Sequence, residues 1–214
     1  MRQFFCQQGS PEWFELRRGV PTASEFNRIM TPEKMKPSSA MDGYVAELIG
    51  ELVRTDPAPP DRMNDAMRHG VDVEPEARRF YEMHRNCDVT KIGFCMSDDM
   101  RFGCSPDGLI GDDGLLELKC PDVTTQIKYL MGPAVVPSEY RCQVHGQLIV
   151  TGRKWVDFLS YARGPDPFLV RIEADSFTTE LRVCLELFWE KLESAKKRFR
   201  VEKKWPEPSK GESS

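Results

Sequence analysis

The sequence feature that most constrains the fold is a hairpin signal near the middle of the chain. The turn-forming run Asp112-Asp113-Gly114 is followed at once by Leu115 to Lys119, a short segment of strand character. Two more short β-rich segments, 88–95 and 100–104, precede it and are separated by Asp and Gly turns. The middle of the chain therefore predicts a strand meander.

Segments with helical spacing flank this meander on both sides. The closing segment carries Leu181, Leu185, Phe188 and Leu192 along one helix face. The predicted helices are 11–17, one beginning at Thr22, 41–53, 61–81, 138–150 and a last one through 181–192, and the further strands are 155–161 and 168–172. This order predicts a mixed α/β fold, with a small central mixed β-sheet flanked by helices.

Length and composition fit one compact domain. The 214 residues are 40% hydrophobic and 30% charged, which is typical of a soluble globular chain. We expect a single domain over 1–205, with a helical N-terminal part (1–85) and a sheet-containing core (86–205), and a flexible tail at 206–214. No apolar run approaches the roughly 20 residues of a membrane span, and the first residues lack the apolar stretch of a secretory signal.

Cysteine usage and net charge limit the compartment and the kind of partner. The seven cysteines are scattered and form no CxxC pair, so the sequence indicates neither a disulfide framework nor a zinc knuckle, and we expect a cytoplasmic protein. With 30 basic and 34 acidic residues the net charge is −4, which argues against nonspecific coating of DNA. Because affinity for phosphates depends on local charge, a basic channel inside an acidic exterior is not excluded.

Asp107 and the run Glu117-Leu118-Lys119 are the candidate residues for chemistry. Asp107 lies at a turn between predicted strands, and Glu117 and Lys119 project from the same face of a strand. Leu116 and Leu118 are left to face the core. Because Mg²⁺ prefers oxygen ligands, the two carboxylates predict a divalent-cation site. Lys119 beside the metal would orient or deprotonate water and stabilise charge on a phosphoryl group.

A second interpretation of the same residues needs no site. Asp107-Gly108 would then be only a turn, and Glu117 and Lys119 would form the solvated face of an edge strand. Two features favour the site. The strand stops directly after Lys119, at Cys120-Pro121, and Asp107 follows Ser105 in otherwise apolar surroundings, where a carboxylate needs a partner.

Longer motifs around these residues resemble one family. Asp107 with Glu117-x-Lys119 matches the PD-(D/E)xK nuclease signature. The longer strings are Trp13-x-x-Leu16-Arg17-x-Gly19-x-x-Thr22-Ala23-Ser24, Gly70-x-x-x-Glu74-x-x-Ala77, Cys104-Ser105-Pro106-Asp107-Gly108-Leu109, Leu116-Glu117-Leu118-Lys119-Cys120-Pro121 and Gln143-Val144. Together they are similar to the phage lambda exonuclease family of YqaJ-type viral recombinases. The resemblance implies a restriction-endonuclease-like nuclease core.

The resemblance also implies roles at the cation site. Asp107 and Glu117 would bind Mg²⁺, with the Leu118 backbone carbonyl as a further ligand and Lys119 as the catalytic lysine. The family pattern implies two ions in each active site. Mn²⁺ is expected to substitute for them.

Two more polar residues join this site by resemblance. Glu74 matches a helix-borne glutamate near the metals and would otherwise be a solvent-facing carboxylate, and Gln143 matches an active-site glutamine. By helical spacing, Tyr140, Gln143 and Gln147 share one face, which looks toward the site unless it is hydrated surface. No role carries over to His145, which is typical of a surface or satisfied core position.

Three residues resemble the family's 5′-phosphate site, namely Arg17, Ser24 and Ser105. A planar guanidinium binds phosphate bidentately, and hydroxyl groups add donors. Without the resemblance, Arg17 would be a surface arginine and Ser24 a helix cap. Met67 falls where the family places an apolar wedge that splits the terminal base pair, although a methionine at helical spacing is usually core.

The resemblance implies a Mg²⁺-dependent exonuclease that processively degrades one strand of duplex DNA from its 5′-phosphorylated end. The products would be mononucleotides and 3′ single-stranded DNA for recombination. The expected partners are double-stranded DNA ends, two further copies in a homotrimeric ring, and a single-strand annealing protein, with no membrane. The setting would be a bacterial cytoplasm, with a phage or prophage gene. The alternatives are a related PD-(D/E)xK endonuclease and a non-catalytic DNA-end-binding module that recruits an annealing protein.

Overall fold

The computed structural model describes residues 1–55 and 65–205, with side chains for 1–55 and 72–205. The expectations for Met67, Gly70 and the 206–214 tail lie outside these described parts. The helices are α1 Pro11–Arg17, a 3₁₀ helix Ala23–Arg28, α2 Met41–Val53, α3 Asp65–Arg85, α4 Val123–Met131, α5 Ser138–Thr151 and α6 Ser176–Phe199. The strands are β1 Arg2–Phe4, β2 Met30–Thr31, β3 Lys36–Pro37, β4 Phe94–Met96, β5 Gly103–Cys104, β6 Gly108–Ile110, β7 Gly114–Lys119, β8 Trp155–Ser160 and β9 Phe168–Glu173.

A four-stranded mixed sheet forms the centre of the fold, in the order β6-β7-β8-β9. Strands β7 and β8 run parallel, whereas the β6–β7 and β8–β9 pairs are antiparallel. The predicted mixed α/β fold is therefore confirmed. The strands of the predicted meander divide between two sheets, because β4 and β5 pair with β1 in a separate three-stranded sheet.

Two predicted strands are shorter than their sequence patterns indicate. Met100 has a left-handed φ of 59°, and its N–H donates to the Ser97 carbonyl at 2.9 Å. This tight turn excludes Met100 from the strand that follows. The segments predicted as 88–95 and 100–104 are regular strands only at Phe94–Met96 and Gly103–Cys104.

The predicted hairpin turn is confirmed between β6 and β7. Ile110 pairs with Gly114, and Gly111 between them has a φ of 49°, which favours glycine. A Cβ on Gly114 would lie 2.2 Å from the Trp155 ring, so this position also requires glycine. The resulting register brings Asp107, directly before β6, next to the end of β7.

Strand β7 is paired on both edges and buried on both faces. Leu116 and Leu118 pack with Tyr81 of α3 on one face, so the predicted inward orientation is confirmed. Glu117 points to the opposite face, toward α5, and is only 2% exposed. The interpretation of β7 as a solvated edge strand is therefore wrong, because β7 is a central strand.

Helix α5 approaches the 3₁₀ helix closely because Gly146 lies at their contact. A Cβ on Gly146 would be 2.5 Å from the Phe26 ring and 3.1 Å from the Ala23 Cβ. Phe26 and Ala23 are buried in the largest apolar cluster, together with Phe158 of β8. This packing fixes the position of the 3₁₀ helix, and hence of Ser24, relative to α5.

The sequence patterns did not predict α4 or β1. Helix α4 begins after Asp122, whose carboxylate accepts a hydrogen bond from the Thr125 N–H at 2.8 Å. An aspartate directly after Pro121 is a helix-start signal that the sequence does contain. Strand β1 pairs with β4, which is distant in the chain, so no local pattern marks it. In the described part of the chain, no helix combines the length and apolarity of a membrane span.

Candidate active site

Asp107 lies directly before β6 and is held against β7. Its N–H donates to the Leu116 carbonyl at 3.0 Å, and its Oδ2 accepts a hydrogen bond from the Leu118 N–H at 2.6 Å. These two bonds extend the β6–β7 pairing by one residue. They place the Asp107 carboxylate beside the end of the central strand.

Glu117 is a buried carboxylate surrounded by donors. Its Oε1 accepts a hydrogen bond from Gln143 Nε2 at 2.6 Å and lies 2.7 Å from Lys119 Nζ. Its Oε2 accepts a hydrogen bond from Gln147 Nε2 at 2.6 Å. Because a buried charge is costly without such partners, α5 and Lys119 hold Glu117 in one orientation.

The polar face of α5 is turned inward, not hydrated. Gln147 is only 1% exposed, and Gln143, one helical turn before it, reaches the other oxygen of Glu117. The Tyr140 ring lies on the same face, with its centroid 4.8 Å from Lys119 Nζ. The resemblance gave a role to Gln143 alone, whereas the structure adds Gln147 as an equal partner of Glu117.

The Asp107 and Glu117 carboxylates carry more negative charge than Lys119 alone can balance. Burial, followed by the negative charge of Glu117, raises the pKa of Asp107 well above its ordinary value, although Lys119 and the Leu118 N–H oppose this. Burial lowers the pKa of Lys119, but the Glu117 and Asp107 carboxylates outweigh it, so the pKa is raised. Two carboxylates therefore share one ammonium group.

The residues present fit a hard divalent cation. Among the described side chains, no three His, Cys, Asp or Glu residues are grouped closely enough to hold an ion by themselves. Asp107 and Glu117 supply two carboxylates. The N–H of Leu118 meets Asp107, and the N–H and C=O of one strand residue point to the same edge, so the Leu118 carbonyl lies on the Asp107 side. These oxygen donors are of the kind that Mg²⁺ prefers.

Glu74 reaches the site through an arginine that the sequence patterns did not single out. Arg78 Nη2 donates to Glu74 Oε1 at 2.9 Å, and Arg78 Nη1 donates to the Asp107 backbone carbonyl at 2.7 Å. Arg78 is buried and thus joins α3 to the start of β6. Glu74 is not simply solvent-facing, and the i,i+4 spacing of Glu74 and Arg78 is the signal that links them.

Arg17, Ser24 and Ser105 converge at the end of α1. Arg17 Nη2 donates to Ser24 Oγ at 3.4 Å, and Nη1 donates to Ser105 Oγ at 3.4 Å. Thr22 Oγ1 also accepts a hydrogen bond from Nη2, at 3.2 Å. The guanidinium stacks on Trp13, with Cζ 4.2 Å from the ring centroid. These five residues form what we call the Arg17 pocket.

The chemistry of the Arg17 pocket suits an anion. In the described part of the chain, the hydrogen bonds of the Arg17 side chain go to hydroxyl groups, not to carboxylates. Burial lowers the pKa of Arg17 and outweighs the pull of surrounding groups. Arg17 is therefore not an ordinary surface arginine. Ser24 is not a helix cap either, because the N-cap position of the 3₁₀ helix is Thr22.

The Arg17 pocket adjoins the carboxylates. Ser105 lies two residues before Asp107, and its hydroxyl accepts a hydrogen bond from Trp13 Nε1 at 2.9 Å. Trp13 Nε1 also contacts the Gly93 carbonyl at 3.0 Å. A short, hydrogen-bonded segment therefore connects the Arg17 pocket to the Asp107 and Glu117 carboxylates.

His145 belongs to the core. It is 2% exposed, and its Nδ1 lies 2.8 Å from Thr178 Oγ1. Burial lowers its pKa to about 4, although the nearby Asp175 carboxylate raises it. The expectation of a satisfied core histidine agrees with these contacts.

Comparison with known proteins identifies the family of the chain. A family model described as a YqaJ-like viral recombinase domain matches residues 12–154. Among curated proteins, none matches the sequence.

Solved structures of exonucleases share this fold. An alkaline exonuclease (LHK-Exo) from Laribacter hongkongensis is 33% identical, with a TM-score of 0.75 over 89% of this chain and 96% of that chain. Its complex with dAMP gives a TM-score of 0.76 over the same shares. A phage-related exonuclease from Haemophilus somnus 129PT, 12% identical, matches with a TM-score of 0.56 over 82% of this chain and 96% of that chain, which shows the fold alone. The chain belongs to the YqaJ-like viral recombinase family.

Proposed function

We propose that this protein is a metal-dependent exonuclease that processively degrades one strand of duplex DNA from its 5′-phosphorylated end. It releases mononucleotides and leaves a 3′ single strand. The observation that carries the proposal is the junction of two sites, the Arg17 pocket and the Asp107–Glu117 carboxylates, through Ser105. The 33% identity to an alkaline exonuclease supports the nuclease activity.

Each residue of the site has a task in phosphodiester hydrolysis. Two bound Mg²⁺ ions, for which Mn²⁺ substitutes, would activate water and stabilise the leaving oxygen. Asp107, Glu117 and the Leu118 carbonyl would hold them, and Gln143 keeps Glu117 in position. Lys119 Nζ lies 2.7 Å from Glu117 Oε1, where its ammonium group would donate hydrogen bonds to the attacking water or to a phosphoryl oxygen.

The Arg17 pocket accounts for the proposed direction of degradation, which starts at the 5′ end. A terminal phosphate carries more negative charge than an internal phosphodiester, and a guanidinium binds it bidentately. Stacking on Trp13 fixes the orientation of the Arg17 guanidinium plane, and the Ser24 and Ser105 hydroxyls beside it add hydrogen bonds to the phosphate. A 5′-phosphorylated end is therefore held beside the carboxylates, whereas an end without phosphate is not.

We also propose that three copies form a ring around the duplex and deliver the 3′ strand to a single-strand annealing protein. A ring would reconcile a net charge of −4 with DNA binding, because basic groups would line the hole and acidic groups would face outward.

The test is a time course on linear duplex DNA labelled at the 5′ or the 3′ end, with Mg²⁺ or with EDTA. We expect early release of the 5′ label as a mononucleotide, dependence on the metal, and faster hydrolysis of 5′-phosphorylated ends. Cleavage of closed circular duplex DNA would refute the exonuclease proposal and favour the related PD-(D/E)xK endonuclease.

The variant Asp107→Ala separates catalysis from end binding. It should abolish nucleotide release while end binding persists. Retained hydrolysis would refute the metal assignment, and a wild-type protein that binds ends without hydrolysing them would favour the non-catalytic module.

A further inference from the structure

The end of α6 and the segment after it form a groove that the proposed active site does not use. Its volume is about 760 Å³, within the range of sites that bind small molecules. We call it the basic groove. It is lined by residues 19–21, 100–101, 189, 193, 196–197 and 200–205.

Positive charge is concentrated along the basic groove. The segment from Lys196 to Lys204 contains six basic side chains and one acidic one, in a chain whose net charge is −4. Lys196 is paired with Glu193 at 3.1 Å. Lys197, Arg200 and Lys204 are exposed and make no ion pair within the residues that the structure describes. Their charge is therefore available to an external anion.

The wall of the basic groove is anchored to the rest of the fold. Arg200 ends α6 in a left-handed conformation, with a φ of 54°, and the chain then turns back toward α1. Lys203 Nζ donates to the Glu15 carbonyl of α1, and its side chain is only 8% exposed. Trp205 packs against the apolar cluster that contains Leu16. These contacts join the wall of the groove to α1 and its apolar cluster.

The basic groove adjoins the Arg17 pocket. Residues 19–21 line the groove and connect Arg17 to Thr22 in the chain. The Gly103 N–H donates to the Pro21 carbonyl at 3.0 Å, which ties this connection to β5. A strand of DNA whose end is processed near the pocket thus has a second basic surface close by.

Two tryptophans indicate which form of DNA fits. Lys196 Nζ lies 4.5 Å from the Trp189 ring centroid, and Lys203 Nζ lies 5.1 Å from the Trp205 ring centroid. Basic side chains interleaved with aromatic rings in one groove are typical of single-strand binding, because unpaired bases offer faces for stacking. We propose that the basic groove binds single-stranded DNA, specifically the 3′ strand that hydrolysis leaves. The source of this strand rests on the proposed function.

The test measures binding without hydrolysis. Fluorescence anisotropy in EDTA would follow a labelled single strand of roughly 20 nucleotides, enough for one binding site, without a 5′-phosphate. The variant is K197Q/R200Q/K204Q. The matched control is K91Q/K154Q/R182Q, which removes the same charge from exposed positions outside the groove. Because hydrolysis plays no part, this result is independent of the nuclease assay.

Loss of three phosphate contacts should make the negative slope of log K against log salt shallower by about 2, and should lower the affinity by about 100-fold at 0.1 M salt. The single variant K204Q should make this slope shallower by about 0.7. The proposal is overturned if the triple variant binds like the wild type, if the control loses as much affinity, or if affinity for blunt duplex DNA falls equally.

Discussion

Replacing Gln147 with leucine tests whether α5 positions the carboxylate of Glu117 for metal binding. Gln147 supplies the hydrogen bond to Glu117 Oε2, at 2.6 Å, whereas Gln143 and Lys119 both act on Oε1. Leucine has nearly the same volume but donates no hydrogen bond. The change therefore removes one partner of a buried carboxylate oxygen and adds none.

Two effects of Gln147→Leu follow from the structure. An unsatisfied buried acceptor costs about 1–3 kcal/mol, and leucine also removes Gln147 Oε1, which has no partner in the described part of the chain, so the free energy of unfolding should fall by at most that amount. Partners that orient a metal ligand affect metal affinity or activity by about 10- to 100-fold. We expect a loss in this range in Mn²⁺ affinity, measured by calorimetry, and in the Mg²⁺ dependence of hydrolysis.

Gln126→Leu is the matched control. Gln126 is also fully buried, and its Nε2 donates to the Ser160 and Asp166 carbonyls at 3.1 and 2.9 Å, with no bond to Glu117. Its loss should destabilise the fold without changing metal affinity. Unchanged Mn²⁺ affinity in Gln147→Leu, or an equal loss in Gln126→Leu, would refute the positioning role.

Three further outcomes are expected. Arg17→Ala should remove the preference for 5′-phosphorylated ends and reduce processivity, and wild-type behaviour on phosphorylated and unphosphorylated duplexes would show that the pocket is misplaced. The pKa of His145 is lowered from 6.5 to about 4, so its contribution to stability is present above pH 6.5 and is lost as the pH falls toward 4. The free energy of unfolding, measured with urea, should decrease by about 3 kcal/mol over that pH window, and the variant His145→Asn should lack this decrease. If the variant's free energy of unfolding varies with pH as the wild type's does, the prediction is contradicted. Gly146→Ala should destabilise the fold by about 1–3 kcal/mol, because its Cβ would lie 2.5 Å from the Phe26 ring; an unchanged melting temperature would mean that the helices separate at no cost.

Patterns local in sequence predicted the elements that depend on local physics. The hairpin before β7 follows from its Asp and Gly residues, and α6 follows from the spacing of Leu181 and Leu192. Strand β1 depends on pairing with a distant strand, so its residues carry no comparable signal.

The candidate site shows the same division. The motifs singled out Asp107, Glu117, Lys119 and Gln143. Helical spacing also put Gln147 on the face of Gln143, but it did not show that Gln147 bonds to Glu117. Gln147 and Arg78 lie on helices far away in the chain, and their roles emerge only when α5 and α3 pack on opposite faces of the sheet. A sequence pattern reports residue types and spacing, whereas hydrogen bonding across the core depends on tertiary packing.

The contact at Gly146 gives α5 a further consequence. On one face of this helix, Gln143 donates a hydrogen bond to Glu117. The contact of Gly146 with Phe26 fixes the 3₁₀ helix that carries Ser24. A single helix therefore sets the spacing between Ser24 of the Arg17 pocket and the Glu117 carboxylate. If the proposed function holds, widening the contact at Gly146 would move the Arg17 pocket away from the carboxylates and shift the position at which the strand is cut.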